Sequence, residues 1–313
     1  MLSRIADSMF WLNRYMERSD GLLRGVKTHY TLLLDKGINE NLSWRPMLEI
    51  YTYSSEEEIQ LLQDNSEAVI HQLFLDTTNI NSLKILINKA RENARGMQDH
   101  ITKEVWEQIN QIYHFVNQPA YDQQLKGFQF IDTVDALANQ CILYNGVSDT
   151  TMPRGMGWNF MSLGKYIERC LLTIEMTVQY LEKIEYKLDV ENDILQWRPL
   201  LLALSGYELH LKTYRSNQHN QNTIHQVLFN ENFTRSILYT LKRIDKYFNH
   251  ILGYDINKEK EDLAKLLGRL VSKFQYADFD SLNQLTLQKF LSDTRKELLA
   301  FSNGLGQSFF SYS

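Results

Sequence analysis

The residues with most chemical potential fall in two short stretches. "FWLNRYMERSD" (10–20) sets Arg14, Glu17 and Arg18 among Phe10, Trp11 and Tyr15, and "MSLGKYIERC" (161–170) repeats the pattern with Lys165, Glu168 and Arg169. A guanidinium grips a carboxylate through paired N–H donors, so stripes of this kind point to recognition of acidic groups. A glutamate beside them is also a candidate general base, with arginines stabilising developing negative charge. Two further clusters carry the same residue types. "KARENARGMQDH" places Arg91 and Arg95 one turn apart with Glu92 and Asn93 beside them, and "DTTMPRGMGW", read as a loop, offers Asp149, Thr150, Arg154 and Trp158. On an enzymatic reading, Glu17 or Glu92 is the base and Arg18, Arg95 or Arg154 the anion stabiliser. On the bland reading these are surface charges, or ion pairs that merely pin helices together.

Other chemistries lack their residues. The eight histidines form no H-E-x-x-H and no pair of E-x-x-H motifs; His210, His219 and His225 cluster in sequence around a polar loop, which is weak evidence for a metal, and none is expected. No P-loop, no G-x-G-x-x-G after a strand and no G-x-S-x-G elbow occurs, and no cofactor is expected. Cys141 and Cys170 have no C-x-x-C spacing and read as reduced, buried, small apolar residues. A net charge of −5 with no basic run leaves no footprint for nucleic acid. Arg4 and Asp7 interrupt the start where a secretion signal needs apolar residues, and no run reaches the roughly 18 apolar residues of a membrane span. A soluble, cytoplasmic protein is expected.

The elements that must position these residues read as helices. Leu2, Ile5, Met9, Leu12, Met16, Leu23 and Val26 recur with a period near 3.6, and Gly37 and Asn39 are placed to end that helix. Similar patterns cover 79–116, 126–145, 157–184, 234–252, 259–276 and 281–303. Only 14 glycines and 4 prolines occur in 313 residues, too few for an architecture of many tight turns. Pro46 and Pro199 suit the first turn of a helix, where a missing N–H costs little. With Arg14 set at zero, Glu17 lies at about −60° and Arg18 at about +40° around the axis, opposite the apolar stripe. A wet face would not usually carry Phe10 and Trp11 one and two turns away. Gly21 and Gly25 also permit another backbone to approach. The expectation is a helix covered on two sides, with Glu-Arg partly buried between layers.

Three blocks recur in order. "RYMER" (14–18) matches "KYIER" (165–169) at an offset of 151, "WRPML" (44–48) matches "WRPLL" (197–201) at 153, and "NSLKILINKA" (81–90) aligns with "RSILYTLKRI" (235–244) at 154. The fold expected is all-α: a multi-helix bundle of two repeated units, approximately 1–150 and 151–313, packed as one body within a single domain.

The opening "MLSRIADSMFWLNRYMERSD", then "LFLDTTNINSLKILINKARENARGMQDHITKEVWEQIN" and "SDTTMPRGMGWNFMSLGKYIERC", resemble the Alpha-E family, a bacterial all-helical family named for its Glu-Arg motif. The resemblance falls on Arg4, Arg14, Tyr15, Glu17 and Arg18, on Arg91, Glu92, Asn93 and Arg95, on Asp149, Arg154 and Trp158, and on Glu168 and Arg169. It implies, as partners, a circularly permuted ATP-grasp ligase and transglutaminase-like proteins, with a role in peptide synthesis or modification. It implies no activity for the helical domain itself. One departure stands out: the first copy has Asp20 and Arg24 after its Glu-Arg, whereas the second has "CLLTIE", which points to a simplified, structural site there.

Overall fold

The computed structural model describes residues 3–34, 43–188, 193–253, 257–277 and 284–310. Among them the chain forms fifteen α-helices and no strand, so the all-α expectation holds. By contacts it divides into two compact units, Trp11–Arg154 and Met1–Phe10 with Gly155–Ser313, here the first and second units. The boundary follows Arg154, close to the expected seam, but the first ten residues belong to the second unit.

The first unit takes α1 (Ser3–Leu34) from Trp11 onward, followed by α2 (Arg45–Tyr51), α3 (Glu56–Leu62), α4 (Ser66–Phe74), α5 (Leu83–Arg95), α6 (Lys103–Asn117), α7 (Tyr121–Gln124) and α8 (Gln129–Thr151). Helices α5 and α6 pack together and α6 packs on α8, burying Leu83, Leu86, Ile87, Val105, Ile109, Ile112 and Leu137. Burial at helical spacing is the main source of stability here, at about 1.5–3 kcal/mol for each fully buried large apolar side chain. The expected end of α1 at Gly37 and Asn39 lies outside the described residues.

The second unit contains α9 (Met156–Lys183), α10 (Ile194–Ala203), α11 (Tyr207–Thr213), α12 (His219–Leu228), α13 (Ile237–Leu252), α14 (Lys258–Gln275) and α15 (Gln284–Leu305), closed by a π-helical turn, Gly306–Phe310. Helix α9 packs along α13 and α15, and α14 bridges those two. Phe10 sits against Phe310 (5.2 Å between ring centroids), which in turn meets Phe160 at 5.8 Å.

Several local readings change in the structure. The continuous pattern over 79–116 is broken after Arg95, and Thr102 restarts the chain as α6 by accepting the Val105 N–H at 3.4 Å. The expected loop at 149–158 is mostly helix. The Thr151 hydroxyl donates to the Val147 carbonyl at 2.8 Å, and α8 runs on until Met152 turns extended. That turn is what Pro153 imposes on the residue before it. Pro199 lies inside α10 rather than in its first turn, because Asp193 caps the helix upstream by accepting the Leu195 N–H at 3.1 Å.

Matching hydrogen bonds recur in the two units. Trp44 Nε1 donates to Ser66 Oγ and Trp197 Nε1 to Asn220 Oδ1, both at 2.9 Å. The His71 carbonyl accepts from Leu75 and Asp76, and the His225 carbonyl from Phe229 and Asn230. Asp76 Oδ1 accepts the Thr78 N–H and Asn230 Oδ1 the Asn232 N–H, each at 2.8 Å. Ser82 caps α5 and Ser236 caps α13. Each later residue stands 153 or 154 positions after its counterpart.

Candidate functional site

Helix α1 is buried on two faces. Leu12, Met16 and Leu23 are at most 3 % exposed on one side, yet Glu17 is 2 % and Asp20 9 % exposed on the other. Gly21 and Gly25 are buried as well, where the absence of a side chain admits close neighbours. Arg14, Tyr15 and Arg18 are half-buried at the margin. Arg14 lies over the Trp11 ring at 4.7 Å, and Trp11 stacks on Tyr15 at 5.5 Å. Trp11 thus walls the charges as expected, and Phe10 is 1 % exposed and lies against Phe310.

The margin is held by the segment between α4 and α5. Arg18 Nη1 donates to Asn81 Oδ1 at 2.8 Å, the Asn81 N–H donates to Asn79 Oδ1 at 3.0 Å, and Asn79 Nδ2 donates to the Gln72 carbonyl at 3.0 Å. Lys89 of α5 places its ammonium 5.7 Å from the Tyr15 ring centroid. Beneath Glu17 the polar strip continues along α1. Asn13 Oδ1 accepts from the buried Tyr144 hydroxyl at 2.5 Å, and Arg24 pairs with Asp20 one turn away. Burial pushes the Cys141 thiol of α8 far up, with the Asp20 and Glu17 carboxylates adding to the shift. It is therefore a poor nucleophile.

The second unit repeats the core of this arrangement with different supports. Glu168 is 1 % exposed, and Arg169 is half-buried over the Tyr166 ring at 5.3 Å. Tyr166 stacks on Tyr247 (5.9 Å, 16° between planes) and leans on Tyr239 at 6.3 Å. Arg243 lies over Tyr239 at 4.9 Å and Lys246 over Tyr247 at 5.8 Å. Burial raises the Tyr166 phenol to about 12, against the pull of Arg169. In place of Asp20 and Arg24 this unit has Leu171 and Glu175. Glu175 Oε1 accepts from Arg295 Nε at 3.2 Å and Nη2 at 3.0 Å, so an ion pair within one helix is replaced by one that ties α9 to α15.

Most of the remaining sequence candidates have partners of their own. Arg91 is drawn to α6: its Nε donates to Asn110 Oδ1 at 2.8 Å, and its guanidinium lies over Tyr113 at 4.3 Å. Glu92 is exposed and paired with Arg95 at 2.5 Å, and Asn93 is half-buried. Asp149 and Arg154 form an exposed pair at 2.9 Å. Trp158 lies in α9 and Arg4 is exposed near the start of α1, so both belong to the second unit rather than to that of Asp149 and Arg154. Asn81, Lys89, Asn13, Tyr144, Tyr239, Tyr247, Arg243 and Arg295 were missed in the sequence. For Lys89 and Arg243 a signal existed, since both fall within the aligned "NSLKILINKA" and "RSILYTLKRI" blocks.

Among the described residues no helix is long and apolar enough to cross a membrane, and no three His, Cys, Asp or Glu side chains gather as a metal cluster. No curated protein and no solved structure matches the chain. The model of a predicted alpha-helical domain with a conserved ER motif matches residues 1–310. With Glu17-Arg18 and Glu168-Arg169 each built as a sealed acid beside a half-buried arginine, the chain belongs to the Alpha-E family.

Proposed function

We propose that this protein is a non-catalytic helical module that binds a carboxylate-bearing partner or substrate of an ATP-grasp-type amide or peptide ligase. The observation that carries the reading is the division of labour in the Glu-Arg pairs. Glu17 and Glu168 are sealed at 2 % and 1 % exposure, while Arg18 and Arg169 lie half-buried at the margin beside amide and tyrosine groups. A guanidinium at the margin of a unit is a planar fork of five donors, the geometry that suits a planar acid. The named ligase, a transglutaminase-like associate and a bacterial source rest on the family resemblance, and a cytoplasmic location rests on the sequence features given above. We further infer that the two units descend from one duplicated helical unit, supported by the matched blocks and hydrogen bonds.

Catalysis by Glu17 or Glu92 has less support. A general base must reach the proton it takes. Glu17 is only 2 % exposed, and Glu92 is exposed and engaged by Arg95. A purely structural role for the Glu-Arg pairs is favoured by that same burial of both glutamates. Affinity capture with an ATP-grasp ligase of the proposed kind separates the readings. Retention of the ligase, together with a change in its amide-forming rate, is expected. No capture and an indifferent rate leave the structural role standing.

A further inference from the structure

The two units carry unlike faces beside their Glu-Arg pairs. On α13, Tyr239, Arg243, Lys246 and Tyr247 fall within about 100° of the helix circumference, and Asp245 lies about 160° from Arg243, on the far side. Each cation lies against a ring: Arg243 over Tyr239, Lys246 over Tyr247, and Arg169 of α9 over Tyr166. The rings join these pairs into one patch, because Tyr166 stacks on Tyr247 and leans on Tyr239. Burial is the largest influence on the Tyr166 phenol, and the charges of Arg169 and Arg243 both act against it. Both guanidiniums therefore lie within electrostatic reach of that one hydroxyl. Neither Arg243 nor Lys246 has a carboxylate partner among the described residues. Lys246 is exposed and the other five residues are half-buried, so the patch meets solvent.

The matching positions of the first unit, 154 residues earlier, hold Ile85, Lys89, Glu92 and Asn93. There Lys89 lies over Tyr15, and Glu92 engages Arg95 and, more loosely, Arg91. Where the first unit has an acid the second has Lys246, and its two tyrosines replace an aliphatic and an amide side chain. The chain as a whole has a net charge of −5, so three cations gathered here give the second unit a local positive field that the rest lacks.

The length of the face and its donors define what fits it. From Tyr239 to Tyr247 it runs about 12 Å along α13. That is more than one carboxylate covers, and about the reach of four residues of extended chain. Cations resting on rings are already restrained, so less side-chain freedom is lost on binding. Tyrosine and arginine are also residue types on which protein interfaces concentrate their binding energy. We propose that Tyr166, Arg169, Tyr239, Arg243, Lys246 and Tyr247 form the docking face for an acidic peptide segment of a partner protein, its carboxylates on the three cations and its backbone across the rings. The partner is the one of the proposed function, on which this rests, and the second unit supplies the contact.

Fluorescence anisotropy of a labelled peptide of alternating glutamate and glycine, titrated with the full chain in about 0.15 M salt, tests this. Wild type should bind it saturably and leave the glutamine analogue of the peptide unbound. Arg243→Gln combined with Lys246→Gln should weaken binding about tenfold or more, with circular dichroism checking the fold. Lys103→Gln combined with Lys126→Gln removes as much charge from exposed positions of the first unit and should leave binding unchanged. No binding by the wild type, or equal binding by the Arg243 and Lys246 variant, overturns the proposal. So does an equal loss in the Lys103 and Lys126 variant, or tighter binding of a single-stranded oligonucleotide of the same charge. The assay contains no ligase, so its failure leaves the capture experiment above to decide the proposed function by itself.

Discussion

Glu17 and Arg18 are neighbours in sequence but differ in surroundings: the acid is sealed in the first unit and the arginine sits at its margin, bonded to Asn81. Removing a buried charge leaves the groups around it uncompensated. Glu17→Ala and Glu168→Ala should therefore each lower unfolding free energy by about 3–5 kcal/mol in urea titrations. Glu92→Ala removes an exposed carboxylate paired with Arg95 and more loosely with Arg91, and should stay within about 0.5 kcal/mol. The thiols give a pH test. Burial raises Cys170 to about 12 and pushes Cys141 up as well. The folded state then holds protons that the unfolded chain releases above about 8.5, so stability is complete below that pH and falls as pH rises toward 12. Native protein at pH 8 should leave both thiols unmodified by a thiol reagent, with reaction appearing only on unfolding.

At the scale of elements, the caps and close approaches make the sharpest predictions. Ser82 and Ser236 hold equivalent positions before α5 and α13, and alanine at either should cost about 1 kcal/mol by thermal or urea unfolding. Gly206→Ala brings a methyl within 2.7 Å of Gln226 Nε2 and 2.8 Å of the Phe233 ring, an overpacking worth about 1–3 kcal/mol by the same measurement. Periodicity alone revealed most long helices to within a few residues. It missed the break after Arg95 and the helical course of 149–151, because a threonine cap and threonine hydroxyls bonded back to the preceding turn decided those ends. The burial of Glu17 was foreshadowed by Trp11, but its neighbours Asn13 and Tyr144 were not. That bond joins positions 131 apart in the chain, and no pattern within one helix encodes which distant residue it meets.

At the scale of the whole molecule, the matched hydrogen bonds of the two units support the proposed duplication, and the chemistry around the two Glu-Arg pairs differs. In the first unit the pair Asp20–Arg24 lies within α1, whereas in the second, where Leu171 and Glu175 stand at the matching positions, Glu175 pairs with Arg295 between α9 and α15. Binding of a carboxylate-bearing partner or substrate of an amide ligase is the function we propose for the Glu-Arg pairs. Arg18→Lys combined with Arg169→Lys keeps both charges but removes the planar fork, which makes it the most direct probe. Calorimetric titration of the chain with an ATP-grasp ligase of the proposed kind should show saturable binding that weakens about tenfold or more in the double variant, with unfolding midpoints unchanged. Binding of equal strength by both proteins, or none by the wild type, would contradict the account.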